Sequence, residues 1–99
     1  MTSVKEMLLK GAKFLETHKW HRGSMFKDKN KKTCSINEAC SYCALGAIAK
    51  ANNIPDVKQV YSSLNYFIVS PDLIWKFNDR KARDKREVVR FLRRLAKQL

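Results

Sequence analysis

An all-α fold, a compact single-domain bundle of four to five helices over residues 1–99, is what the sequence predicts, and three observations predict it. Apolar residues recur at helical spacing in several stretches separated by turn-type residues. Only three Gly and two Pro occur in the 99 residues, which disfavours a many-stranded sheet. The stretch 38–51, EACSYCALGAIAKA, reads as a central helix with both ends marked. A chain of this length buries one core and not two.

In chain order, Thr2 or Ser3 can cap a first helix that runs to about His18. Val4, Met7, Leu8, Gly11, Ala12 and Leu15 keep one face, while Lys5, Lys10, Lys13 and Glu16 lie away from it. Residues 19–32, KWHRGSMFKDKNKK, set six basic residues against the single acid Asp28 and hold neither helical nor strand period, so they read as a loop. Trp20 and Phe26 within it either fold inward to pin the loop to the core or stack on exposed bases; burial is the commoner fate of aromatics.

Ser35 and Glu38 have capping-box spacing for the central helix, and Asn52, Asn53, Ile54 and Pro55 close it. On the helical wheel Cys40, Cys43, Ala44, Ala47 and Ala51 make a face of small residues that lets other helices approach, with Gly46 outside it and free to admit a second neighbour. A third helix carries Val57, Val60, Tyr61, Leu64 and Ile68, its β-branched content making strand the alternative. Ser70 and Pro71 suit an N-cap and first helical position for a short helix through Leu73, Ile74 and Phe77, which Asn78 and Asp79 end. The last helix starts near Arg83 or Asp84.

With Trp20 and Gly23 (W-x-x-G), residues 43–47 (C-A-L-G-A) and Phe77, Asn78 and Asp79 placed, the chain resembles a family of short bacterial and phage proteins of unknown function. That family's pattern is W-x-x-G, then C-A-x-G-A, then W-N-D, then a helix rich in Val, Leu and Ala; Phe77 stands where the pattern has Trp. The resemblance implies a compact helical fold and a phage or bacterial cytoplasmic setting, and it carries no assigned activity.

His18, His21, Cys34, Cys40 and Cys43 are the residue types of a zinc site, but the knuckle that surrounds a Cys-x-x-Cys pair is missing, and small buried hydrophobes are the expectation for Cys40 and Cys43. No cofactor is expected. A cysteine nucleophile needs a base, access and a lowered pKa, none of which the sequence displays, and no phosphate-binding Gly loop is present, so the chain reads as a non-enzyme. The first 15 residues are interrupted by Lys5, Glu6 and Lys10 before any signal-like apolar core can form, no run suits a membrane span, and three cysteines leave one without a partner; a cytoplasmic protein is the expectation.

Charge is the functional signal. Lys and Arg number 21 against nine Asp and Glu, a formal +12 that calls for an anionic partner. In the last helix Val88, Phe91, Leu92, Leu95 and Leu99 share one side, and Arg83, Arg86, Arg90, Arg93, Arg94 and Lys97 share the other, interrupted by Glu87. Arg86, Arg90 and Arg94 form a like-charged column that costs helix stability and that a polyanion would reward. The expected function is nucleic-acid binding, DNA or RNA, mainly through phosphate contacts by this helix, aided by Lys27, Lys29, Lys31 and Lys32. The alternative is a phage-type effector that binds an acidic host protein through the same basic face.

Overall fold

The structure, a computed structural model, describes residues 3–64 and 68–99. Five α-helices are joined by a small three-stranded mixed sheet, so the fold is α+β and the all-α expectation is corrected. Helix α1 (Val4–Glu16) is capped by Ser3, whose hydroxyl accepts from the Glu6 amide at 3.1 Å. It buries Met7, Leu8, Gly11, Ala12 and Leu15, the face that the spacing indicates.

The next segment holds the correction. Residues 19–32 are not all loop: they supply β1 (Lys19–Trp20) and β2 (Phe26–Lys27), which flank β3 (Ser41–Tyr42) in the order β1-β3-β2. β1 pairs with β3 in parallel, Trp20 opposite Tyr42, and β2 pairs with it antiparallel, Phe26 opposite Tyr42. Each strand is two residues long, too short for a period of two to be legible in sequence. Phe26 and Tyr42 are buried, and Tyr42 meets the rings of Phe14, His18 and Phe26 edge-on at 4.9, 5.9 and 6.1 Å.

The central helix is consequently shorter than its alanine-rich pattern suggests. Ser35 and Glu38 bracket only a 3-10 turn (Ile36–Glu38), where the Ser35 hydroxyl donates to Glu38 Oε1 at 3.0 Å and caps no amide. Ala39 is extended, β3 follows, and α2 (Ala44–Ala51) begins only after Cys43. Cys40 is therefore exposed in a connecting segment and is no part of the small-residue face. Cys43, Ala44 and Ala47 are buried as that face requires, and Ala51 is half-buried.

Helix α3 (Val57–Leu64) buries Val60 and Leu64; the extension toward Ile68 runs through residues 65–67, outside those described. Helix α4 (Pro71–Lys76) has Pro71 at its first turn after Ser70. Asn78 and Asp79 do not end it: the helix widens into a π-turn (Phe77–Lys81), closed by the Ala82 amide donating to the Phe77 carbonyl at 2.9 Å. Asp84 caps α5 (Lys85–Lys97) through the Glu87 amide at 3.0 Å. α5 lies against α1, and α1 against α2, with Val88, Leu92 and Ala96 fully buried.

Two glycines set these approaches. A Cβ on Gly11 would lie 2.7 Å from Ile48 Cγ1, and one on Gly46 would lie 2.1 Å from the backbone oxygen of Met25. Ile48 is buried and β-branched, so a Cβ at Gly11 also crowds the core, but the nearest clash is with a side chain, and alanine gains about 1 kcal/mol of helix propensity over glycine. The Met25 carbonyl cannot move without opening its bond from the Cys43 amide at 3.2 Å. Gly46→Ala is therefore expected to cost about 3 kcal/mol or more, as overpacking against backbone does, and Gly11→Ala distinctly less. Urea melts of both variants check this, and equal midpoints would refute the close approach at Gly46.

Candidate functional site

Two features of the surface are candidates: the outer face of α5, and a cleft between the sheet and α3–α4. The outer face of α5 exists because its inner one is consumed by packing. Arg83, Arg86, Arg90, Arg93, Arg94 and Lys97 are all exposed, as the wheel predicts, while Phe91 and Leu95 are half-buried and Leu99 is exposed beyond the helix. Some of this charge is paired. Arg83 Nε meets Glu87 Oε1 at 3.1 Å, Arg86 approaches Asp84 at 4.0 Å, and Arg93 binds Glu16 of α1. Such exposed pairs contribute at most about 1 kcal/mol each. Among the described residues, Arg90, Arg94 and Lys97 have no ion-pair partner.

Two shallow grooves run along this face and share Arg90 and Arg93. One, about 340 Å³, is completed by Glu16, Lys85 and Arg86, and the other, about 430 Å³, by Phe77, Glu87 and Arg94. Phe77 is half-buried and stacks on Phe91 with ring centres 4.0 Å apart and planes 6° from parallel, which fixes an aromatic wall beside the arginines.

The lysines of the first basic segment are placed differently. Lys27 belongs to β2 and is half-buried, while Lys29, Lys31 and Lys32 are exposed around a turn built on Asp28. Asp28 Oδ1 accepts from the Asn30 and Lys32 amides at 2.8 and 3.1 Å, and Lys31 takes a positive φ of 64°. Among the described residues no hydrogen bond or ion pair joins this turn to α5; its backbone bonds run within itself, and its neighbour Lys27 bonds Cys40.

Beneath the second candidate lies a network that joins the motif residues Trp20, Gly23, Ala44, Asn78 and Asp79, whose spacing left open core and turn or a shared cleft. Asn78 is 0% exposed. Its Oδ1 accepts from Trp20 Nε1 at 2.6 Å and from the Ala44 amide at 2.9 Å, and its Nδ2 donates to the His21 carbonyl at 3.3 Å and to Asp79 Oδ1 at 2.8 Å. Asp79 Oδ1 also accepts from the Gly23 amide at 2.9 Å. The succession of motifs around Trp20, Gly23, residues 43–47 and Asn78-Asp79 was the available signal, and taken alone the Asn78-Asp79 pair reads equally well as a turn. Trp20 is half-buried, so the inward reading of that residue holds; its indole is tied to the network, with Arg22 5.3 Å from the ring centre.

Next to the network opens a cleft of about 640 Å³. Phe26, Cys43 and Leu45 form its buried floor, Tyr61 and Trp75 a half-buried aromatic wall, and Asp56 and Asp79 its carboxylates. Asp72 holds both wall residues, accepting from Tyr61 Oη at 3.4 Å and from Trp75 Nε1 at 3.0 Å.

Cys43, His21 and His18 are each engaged by neighbouring groups, while Cys34 lines the cleft and Cys40 is exposed. Cys43 Sγ accepts from the Gly46 amide at 3.4 Å as the N-cap of α2, and burial pushes its pKa up to about 11, which keeps the thiol protonated. Burial likewise lowers the His21 pKa, and both ring nitrogens are engaged, Nδ1 with Ser41 Oγ at 2.7 Å and Nε2 with the Ser24 carbonyl. His18 stacks on Phe14 at 3.7 Å. Among the described residues no three His, Cys, Asp or Glu side chains converge as a metal site would need. No helix of the described chain is long and apolar enough to cross a membrane.

Comparison with known proteins places residues 1–98 under the model of DUF6197, a family of unknown function, and the chain belongs to that family. No curated protein and no solved structure matches it.

Two outcomes are expected from this geometry. Replacing Asn78 with Leu removes the acceptor of a buried amide and an indole N–H, and should cost about 3 kcal/mol or more, since each stranded buried group is worth roughly 1–3 kcal/mol; urea melts followed by tryptophan fluorescence check it, and a loss below that of an ordinary surface change would refute it. In a thiol-labelling time course at neutral pH, Cys40 should react first and Cys43 only on unfolding. Early modification of Cys43, identified by mass spectrometry, would contradict its placement.

Proposed function

We propose that this member of a family of unknown function binds nucleic acid through the outer face of α5, with phosphate contacts dominating. The observation that carries the reading is the set Arg90, Arg94 and Lys97: exposed, without an ion-pair partner among the described residues, and on a helix whose opposite side is core. Arg86 to Lys97 spans about 17 Å at about 1.5 Å per residue, enough to follow several phosphates. Like charges at i,i+4 cost the free helix a few tenths of a kcal/mol, and each neutralised phosphate returns more through counterion release. Arg86, Arg93 and Arg83 would join by exchanging weak surface pairs for phosphate. Lys29, Lys31 and Lys32 add to the attraction at long range. No base-reading pattern of Asn or Gln accompanies the arginines, so sequence selectivity is low. The setting that fits is a reduced cytoplasm, phage or bacterial.

A second reading is favoured by Phe77 in the groove beside Arg90 and Arg94: aromatic and arginine side chains together also make protein interfaces. In it the chain is a phage-type effector that modulates an acidic host protein through the same face.

Changing Arg90 and Arg94 together to Gln should weaken binding to all sequences alike and flatten the dependence of log K on log salt by about 0.7–0.9 per lost contact. Fluorescence anisotropy with labelled duplex DNA and RNA over a salt series measures this, with thermal melts showing unchanged or slightly raised stability. Absence of binding at low salt, or binding unchanged in the double variant, overturns the nucleic-acid reading. Capture of one acidic protein from nuclease-treated lysate, lost in the same variant, would then favour the effector.

A further inference from the structure

The 640 Å³ cleft lies apart from the α5 face and has the opposite electrostatic character. Lys and Arg make up 21 of the 99 residues, yet none of the described residues that line it is basic, and Asp56 and Asp79 both do so. Its size is that of a small-molecule site, roughly 300–1,000 Å³. The floor is apolar and buried, and the aromatic wall is held in place by Asp72.

We propose that this cleft binds a small organic cation: one protonated or quaternary amine carried on an apolar, ring-sized body. The body is recognised by Phe26, Leu45, Tyr61 and Trp75, whose burial against it replaces contact with water. The charge is recognised by Asp56 and Asp79. Each carboxylate already accepts backbone amides, Asp56 Oδ1 from Gln59 at 2.9 Å and Asp79 Oδ1 from Gly23 at 2.9 Å, and such bonds hold it in position. Lys76 and Arg80 lie 5.7 and 5.5 Å from the centre of the Trp75 ring. That ring therefore contributes apolar contact, and the attraction for the amine comes from the carboxylates. A single positive charge is the fitting number, because a net charge of +12 repels a polybasic occupant in proportion to that occupant's own charge.

The probes are tryptamine, its neutral counterpart indole-3-ethanol and its anionic counterpart indole-3-propanoate, titrated into ¹⁵N-labelled protein and followed by amide shifts. Tryptamine should move the amides of Gly23, Ser24, Cys34 and Asp79, and bind roughly tenfold more tightly than the alcohol, the factor one partly screened charge pair supplies. The propanoate should bind more weakly still. In the double variant Asp56→Asn with Asp79→Asn, which keeps an Oδ1 acceptor for the Gln59 and Gly23 amides and for Asn78 Nδ2, the preference for tryptamine should vanish while the dispersed amide spectrum of the folded protein is kept. Equal binding of the amine and the alcohol by the unaltered protein, shifts confined to other surfaces, or no shifts up to about 10 mM ligand, would each overturn the proposal. Tighter binding of a tetralysine peptide than of tryptamine would overturn it too, giving the cleft to a basic protein segment. Nucleic-acid binding by α5 is read from separate residues and can fail or succeed independently.

Discussion

The carboxamide of Asn78 is the constraint on which the remaining structure depends. An amide group taken out of water without partners costs several kcal/mol, and Asn78 is fully buried. Its two acceptor positions and two N–H groups are all used: by the Trp20 indole, the Ala44 amide, the His21 carbonyl and Asp79. Those partners belong to β1, the N-terminus of α2, the segment after β1 and the π-turn. A helix start is usually satisfied by a residue beside it in sequence. Here Cys43 provides a weak sulfur acceptor for the Gly46 amide, and a side chain from the far end of the chain meets the Ala44 amide. The wide π-turn is the local device that accompanies this inward placement of Asn78, and such turns often mark positions with a special duty.

Charge is distributed on the same plan. The carboxylates are largely assigned to architecture: Asp84 and Asp56 to helix starts, Asp28 to a turn, Asp72 to two rings and Asp79 to the Asn78 network. Glu16 and Glu87 restrain two arginines of α5. Most of the positive charge is left without such duties, which is why the molecule presents a long cationic face on one element and an uncharged-to-acidic recess elsewhere. The cationic face follows from a shortage of acids, and the recess from where two of the few acids stand.

Much of the helical frame was legible. α1 and α5 each run for 13 residues, long enough for a period of 3.6 to declare itself, and Ser3 and Asp84 are strong caps that the chain uses as caps. Pro71 marked the start of α4 for the reason its fixed φ gives. The basic face of α5 also came through, since it needs only the wheel. The sheet did not. Ser41 and Tyr42 sit within an alanine-rich run of helical spacing, and what pulls them into a strand is pairing with residues 19–20 and 26–27, a tertiary gain that no local pattern records. Gly46 was noticed as lying off the small-residue face, but that its neighbour would be a backbone carbonyl required the sheet. A cleft joining Cys43 to the Asn78-Asp79 segment was only an open alternative in the sequence, because its lining is drawn from separate parts of the chain and only the fold assembles them.

The Trp20 to Asn78 hydrogen bond, 58 residues apart in sequence, bears on how the protein comes into being on the ribosome. Until residue 78 has emerged, the first half of the chain can form α1 but has no acceptor for the Trp20 indole or the Ala44 amide. The ties from Arg22 to the Ala82 carbonyl and from Arg93 to Glu16 arrive later still. A segment made before residue 78 thus carries Trp20 without its native partner, and the core also needs α5 packed on α1. Without α5 the apolar side of α1, which carries Leu8, Ala12 and Leu15, would lose the neighbour that covers it.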